Sequence, residues 1–155
     1  VNIARFLTEE RILLDLDDRF TDETPPDLDT VVERMTDLLE HSSVIVNATK
    51  LRQELLNSQR REPSFLGEGL FLPHVRTLQA RRLVIAVAIS RAGLDLGAHD
   101  EIPIRLVIAM VGPTYDDKQY LQFYKRLSER LGHEGAIERV LSAELPGEVL
   151  RELSG

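Results

Sequence analysis

His74 follows Pro73 in the run Gly67-Glu-Gly-Leu-Phe-Leu-Pro-His-Val-Arg76, where two glycines lead into a short apolar stretch that the proline stops. That setting puts a titratable ring on a loop or an exposed strand edge. An imidazole so placed can act as base, metal ligand or nucleophile. The plainer alternative is a turn histidine beside a proline. Arg76 lies two residues on, and Arg60 and Arg61 lie in the stretch before the glycines.

Most chemistries lack their residues. The chain has no cysteine, which removes disulfides, thiolate zinc sites and cysteine nucleophiles. A metal would have to draw on His74, His99, Asp95 and Asp100, and no pair of these has the spacing of a familiar metal site. There is no Gly-x-Ser-x-Gly elbow for a serine hydrolase, and no Walker sequence. Gly67-x-Gly69 is too short for a dinucleotide fingerprint.

Histidine phosphotransfer is the class whose parts are present. It needs one exposed imidazole held in a fixed tautomer, with donors for the phosphoryl charge. The planar fork of an arginine suits phosphate oxygens, and Arg60, Arg61 and Arg76 are candidates. The competing reading pairs these arginines with Glu62, Glu68 or other surface acids.

At 155 residues and 43% hydrophobic, the chain has the size of one domain that buries a core unaided. A formal net charge of -7 argues against nonspecific nucleic-acid binding. Only Arg60, Arg61, Arg76, Arg81 and Arg82 make a locally basic set, and they bracket His74. No apolar run approaches the roughly 20 residues of a membrane helix, so the domain itself is not expected to insert in a membrane. The absence of cysteine fits a cytoplasmic location. Val1 in place of a methionine gives the expectation of a domain excised from a longer protein.

The elements that must position His74 read as follows. Asn2 to Leu7 is a short helical or irregular lead-in, and Arg11 to Leu16 a short strand. Thr24-Pro-Pro-Asp27 suggests a helix start capped by the threonine, before a helix with Leu28, Val31, Val32, Met35, Leu38 and Leu39 on one face. A second helix is expected from Thr49, then a loop from Gln59 to Ser64 carrying Arg60 and Arg61. Leu83 to Ile89 and Ile102 to Val111 are nearly continuous apolar runs rich in Val and Ile, the pattern of central strands covered on both faces. The polar stretch from Arg91 to Glu101 between them reads as a loop. Asp116 to Gln119 suggests a capping box for a helix with Tyr120, Phe123, Tyr124, Leu127 and Leu131 on one face. Two short helices, Gly135 to Leu145 and Glu148 to Leu153, follow. The expected class is α/β, a small mixed sheet flanked by helices.

The run from Leu66 to Arg76 resembles the phosphorylation-site signature of the fructose-specific and nitrogen-regulatory (PtsN-like) EIIA domains of the phosphoenolpyruvate-dependent sugar phosphotransferase system. Gly93-Leu-Asp-Leu-Gly-Ala-His-Asp100 resembles a further region of that family, and the resemblance spans nearly the whole chain as one EIIA-like domain, residues 1–155. It implies the mannitol/fructose-type EIIA fold. It also implies that His74 accepts a phosphoryl group from the phosphohistidine of an HPr-like carrier protein, then passes it to an EIIB domain or holds it as a signal for a regulated target. No organic cofactor or metal is implied. The family's phosphate-site arginine corresponds to Arg61, with Arg60 next, and Ser64 retains a hydroxyl where the family has a Ser-Thr pair. The family's second histidine corresponds to Tyr120, whose hydroxyl can donate a hydrogen bond but cannot replace an imidazole as a neutral-pH base. The alternative is therefore a regulatory or ligand-sensing module with this fold and no relay, attached to a transporter or another membrane protein.

Overall fold

The computed structural model describes residues 2–154, so the ends of the expected domain, Val1 and Gly155, lie outside the described residues. Six strands form one mixed sheet: β1 (Ile12–Leu13), β2 (Phe65–Gly67), β3 (Leu70–Phe71), β4 (His74–Arg76), β5 (Val84–Leu94) and β6 (Ile104–Gly112). The order is β1-β5-β6-β3-β2, with β4 also on β6. β5 and β6 run antiparallel at the centre, β1 is parallel to β5, and β3 and β4 are both parallel to β6.

Alternation along the central strands builds the two cores. Ile85, Val87 and Ile89 of β5 face a layer containing α3 (Asp117–Leu131), α4 (Ala136–Leu141) and α5 (Pro146–Ser154). Val84, Ala86 and Ala88 face α1 (Leu28–Leu39) and α2 (Ala48–Arg61). Burial on both faces explains the unbroken apolar runs, and the α/β expectation holds.

Boundaries differ from the sequence reading where tertiary contacts decide them. Only Ile12–Leu13 of the expected first strand pairs, and Leu16–Arg19 closes into a 3-10 turn. The cap of α1 is Asp27 rather than Thr24: its carboxylate accepts from the Thr30 N–H, and the Thr30 hydroxyl accepts from the Asp27 N–H, both at 2.8 Å. Asn47 caps α2 through the Lys50 N–H. α2 then continues through Arg61, so Arg60 and Arg61 belong to its last turn and not to a loop. Arg91 to Leu94 extends β5 because Leu94 still pairs with Ile104 beyond an irregularity in register. Asp116 caps α3 by accepting from the Gln119 N–H.

The hairpin between β2 and β3 explains the paired glycines. Gly67, Glu68 and Gly69 all have positive φ. A Cβ on Gly69 would stand 2.9 Å from the Pro103 carbonyl oxygen, while the Gly69 carbonyl accepts from the Arg105 and Leu106 N–H groups. Close backbone approach, rather than nucleotide binding, accounts for this Gly-x-Gly.

Candidate functional site

β3 and β4 lie in line along one edge of β6, separated by Leu72 and Pro73. Proline has no N–H to give to a ladder. Its carbonyl still accepts from the Met110 N–H at 3.0 Å, so the chain stays on the sheet while the strand is interrupted. The break leaves the Leu72 carbonyl beside the His74 ring, 2.8 Å from Nδ1. A carbonyl only accepts, so Nδ1 carries the proton and Nε2 keeps its lone pair. The sequence Leu-Pro-His thus supplies an imidazole and the carbonyl that fixes its tautomer from one local bend.

The half-buried ring packs near two tyrosines of α3, at 6.3 Å from the Tyr120 ring centre and 5.8 Å from that of Tyr124. It lines a cleft of about 630 Å³ together with Ser58, Arg61, Glu62, Ser64 and Tyr124. Arg61 reaches this cleft from the end of α2, giving only its Nε to the Asn57 carbonyl at 3.3 Å. It makes no ion pair among the described residues. Ser64 is pinned at both backbone groups: its N–H donates to Gln59 Oε1 and its carbonyl accepts from the Leu72 N–H. Leu72 therefore ties the Ser64 wall to the His74 ring.

Arg60 points elsewhere. Both arms of its guanidinium engage Asp29 of α1, at 3.0 and 2.6 Å, and the hydrogen bond from Arg60 holds the Asp29 carboxyl below its ordinary range. Arg76 is next to His74 on the same side of β4, because alternate strand residues share a face. Its guanidinium pairs with Asp117 at the start of α3 and lies 5.7 Å from the centre of the Tyr120 ring.

Tyr120 is only 6% exposed, and its hydroxyl is buried with no hydrogen-bond partner among the described residues. Burial pushes that hydroxyl well above the ordinary tyrosine range, so it remains protonated at neutral pH. Its ring lies beside both His74 and the Arg76 guanidinium. The other residues weighed for metal binding do turn work: Asp100 accepts from the Glu68 and Ile102 N–H groups, and Asp95 accepts from the Gly97 N–H. Sequence reasoning missed Tyr124, Ser58 and Glu62. Tyr124 was legible, since it stands one turn after Tyr120 and so shares its helix face.

The geometry can now be set beside known proteins. The family model described as "Phosphoenolpyruvate-dependent sugar phosphotransferase system, EIIA 2" matches residues 12–155. A fructose-specific EIIA component from Haloferax volcanii is 27% identical over 123 residues, covering 79% of this chain and 80% of that protein. A fructose-specific EIIABC component from Bacillus subtilis is 24% identical over 144 residues, 93% of this chain but 22% of that larger protein. Among solved structures, the nitrogen regulatory protein IIA-Ntr of Neisseria meningitidis superposes with a TM-score of 0.84 at 20% identity, over 97% of this chain and 98% of that one. The mannitol IIA of Escherichia coli gives 0.76 at 21% identity, over 95% and 98%. On these matches, the chain belongs to the EIIA 2 family of the phosphoenolpyruvate-dependent sugar phosphotransferase system.

Proposed function

We propose that this domain is a histidine phosphocarrier in which Nε2 of His74 takes a phosphoryl group from the phosphohistidine of an HPr-like protein. The observation that carries this reading is the 2.8 Å contact between His74 Nδ1 and the Leu72 carbonyl, which leaves Nε2 as the free nitrogen of the ring. The Nε2 lone pair forms the new P–N bond as the donor's P–N bond breaks, and that electron pair returns to the donor imidazole. The Nδ1–H stays on the ring, donating to the Leu72 carbonyl, whose oxygen stabilises the positive charge that the ring gains. Arg61 and the Ser64 hydroxyl line the cleft in which the phosphoryl oxygens would lie, and both suit an anion. The phosphoryl group then passes to an EIIB domain, or its presence is read by a regulated target protein. EIIB is the natural recipient to test, since an Escherichia coli mannitol IIA was solved in complex with phosphorylated IIB, with a TM-score of 0.77 to this chain.

Among the described residues no helix is long and apolar enough to cross a membrane. The domain would work from the cytoplasm, alone or as part of a longer chain. Tyr120 favours a second reading, a regulatory module without relay, because an apolar ring replaces a second imidazole beside His74.

Incubation with phosphoenolpyruvate, the general phosphotransferase enzyme and HPr, followed by intact mass at alkaline pH, separates the two. An adduct absent in His74→Ala supports the carrier. No adduct, with an authentic EIIA labelled in parallel, overturns it in favour of the regulatory module.

A further inference from the structure

A second cleft, of about 380 Å³, opens where the N-terminal lead-in, the α1–α2 connection, the start of β5 and α3 meet. Arg5, Arg11, Arg82 and His41 line it against a single acid, Glu10. It shares no lining residue with the His74 cleft. None of its three arginines makes an ion pair among the described residues, on a chain whose formal net charge is -7.

Arg11 is the unusual member, being 7% exposed. Its Nε donates to the Ile85 carbonyl at 3.0 Å and its Nη2 to the Phe6 carbonyl at 3.1 Å. Two neutral carbonyls satisfy Nε and Nη2 but bring no counter-charge, and Nη1 is left open to solvent. Burial lowers the guanidinium's pKa from its ordinary value, against a smaller opposing pull from Glu10, yet an arginine does not lose its proton in a protein. A largely buried guanidinium without an ion-pair partner gains from an anion that meets its open face. Ser42, Ser43 and the Gln119 amide add neutral donors around it.

We propose that this cleft binds a small phosphate-bearing molecule of about hexose-phosphate size, with Arg11 at its floor and Arg5 and Arg82 at its rim. The volume falls in the range of small-molecule sites and exceeds what a bare phosphate fills. Gln119 of the lining precedes Tyr120, so an occupant touches the turn of α3 that packs beside His74. The inference does not depend on whether His74 relays phosphate.

The test is calorimetric titration with glucose 6-phosphate and with inorganic phosphate at low ionic strength. Arg11→Met would also sever the bonds to Phe6 and Ile85, so the Arg5→Ser/Arg82→Ser double variant carries the experiment. Expected is saturable binding of the hexose phosphate, weakened about tenfold or more in the double variant and unchanged in His74→Ala and Arg61→Ser. Absence of saturation overturns the proposal, as does binding that survives the double variant and disappears in Arg61→Ser. Equal affinity for inorganic phosphate would overturn the sugar-sized ligand.

Discussion

His74 Nδ1 and the Leu72 carbonyl oxygen stand 2.8 Å apart across the break that Pro73 makes in the strand. Three consecutive residues thus set which ring nitrogen is available. In solution the neutral ring is expected as the Nδ1–H tautomer, read from its side-chain ¹⁵N shifts above the histidine titration. A dominant Nε2–H tautomer would leave no lone pair on Nε2, and would refute its assignment as the acceptor.

The two adjacent arginines at the end of α2 have opposite commitments. Arg61 lines the His74 cleft with no ion-pair partner among the described residues, whereas Arg60 is held by Asp29. Arg61→Ala is therefore expected to slow phosphoryl transfer by about ten- to a hundredfold, the range for losing one hydrogen bond to a charged group. Arg60→Ala should leave the rate within about twofold and change stability little, because the pair is exposed. Phosphorylation rates measured side by side decide it, and a larger loss in Arg60→Ala would reverse the assignment.

The buried hydroxyl of Tyr120 has no partner among the described residues, so Tyr120→Phe is expected to be neutral or to stabilise by up to about 1 kcal/mol. The pH dependence gives a sharper check. Burial raises the hydroxyl's pKa in the folded state, while in the unfolded chain it titrates near about 10. Above that pH the unfolded state loses a proton that the folded state keeps, so folding stability falls as pH rises. Melting temperatures between pH 9 and 11 should fall more steeply in the parent protein than in Tyr120→Phe. Parallel slopes would mean that the hydroxyl has found a partner or solvent.

His74 was legible because proline after an apolar run and before an imidazole is a local signal, and the central strands because burial on both faces leaves no polar alternation. The helix face from Leu28 to Leu39 was legible for a different reason, the helical period of its apolar residues on one face. Its cap was not: Thr24 and Asp27 both precede the helix, and only the reciprocal bond to Thr30 chooses between them. The resemblance had put Arg61 ahead of Arg60; what it could not give is where each points, since consecutive helix residues point about 100° apart and the docking of α2 on α1 turns Arg60 to Asp29. The arginine cleft joins residues as distant as Arg5 and Gln119, so no local pattern announces it.

Gly69 and Gly97 allow the backbone beneath the site to be tested by a matched pair. Both have positive φ, +84° and +83°, so alanine is strained at either. At Gly97 a Cβ meets nothing within 4 Å, whereas at Gly69 it meets the Pro103 carbonyl oxygen at 2.9 Å, and a backbone atom cannot swing aside as a side chain would. Gly97→Ala should cost about 1 kcal/mol, from conformation alone, and Gly69→Ala about 2–3 kcal/mol. The Gly69 turn also carries β2, whose Phe65 and the adjoining Leu66 wall the His74 cleft, so Gly69→Ala should slow phosphorylation where Gly97→Ala does not. Urea denaturation of both variants measures the difference. Equal losses would show that the hairpin shifts to admit the methyl group, and that the closeness of β3 to Pro103 does not set the position of the cleft wall.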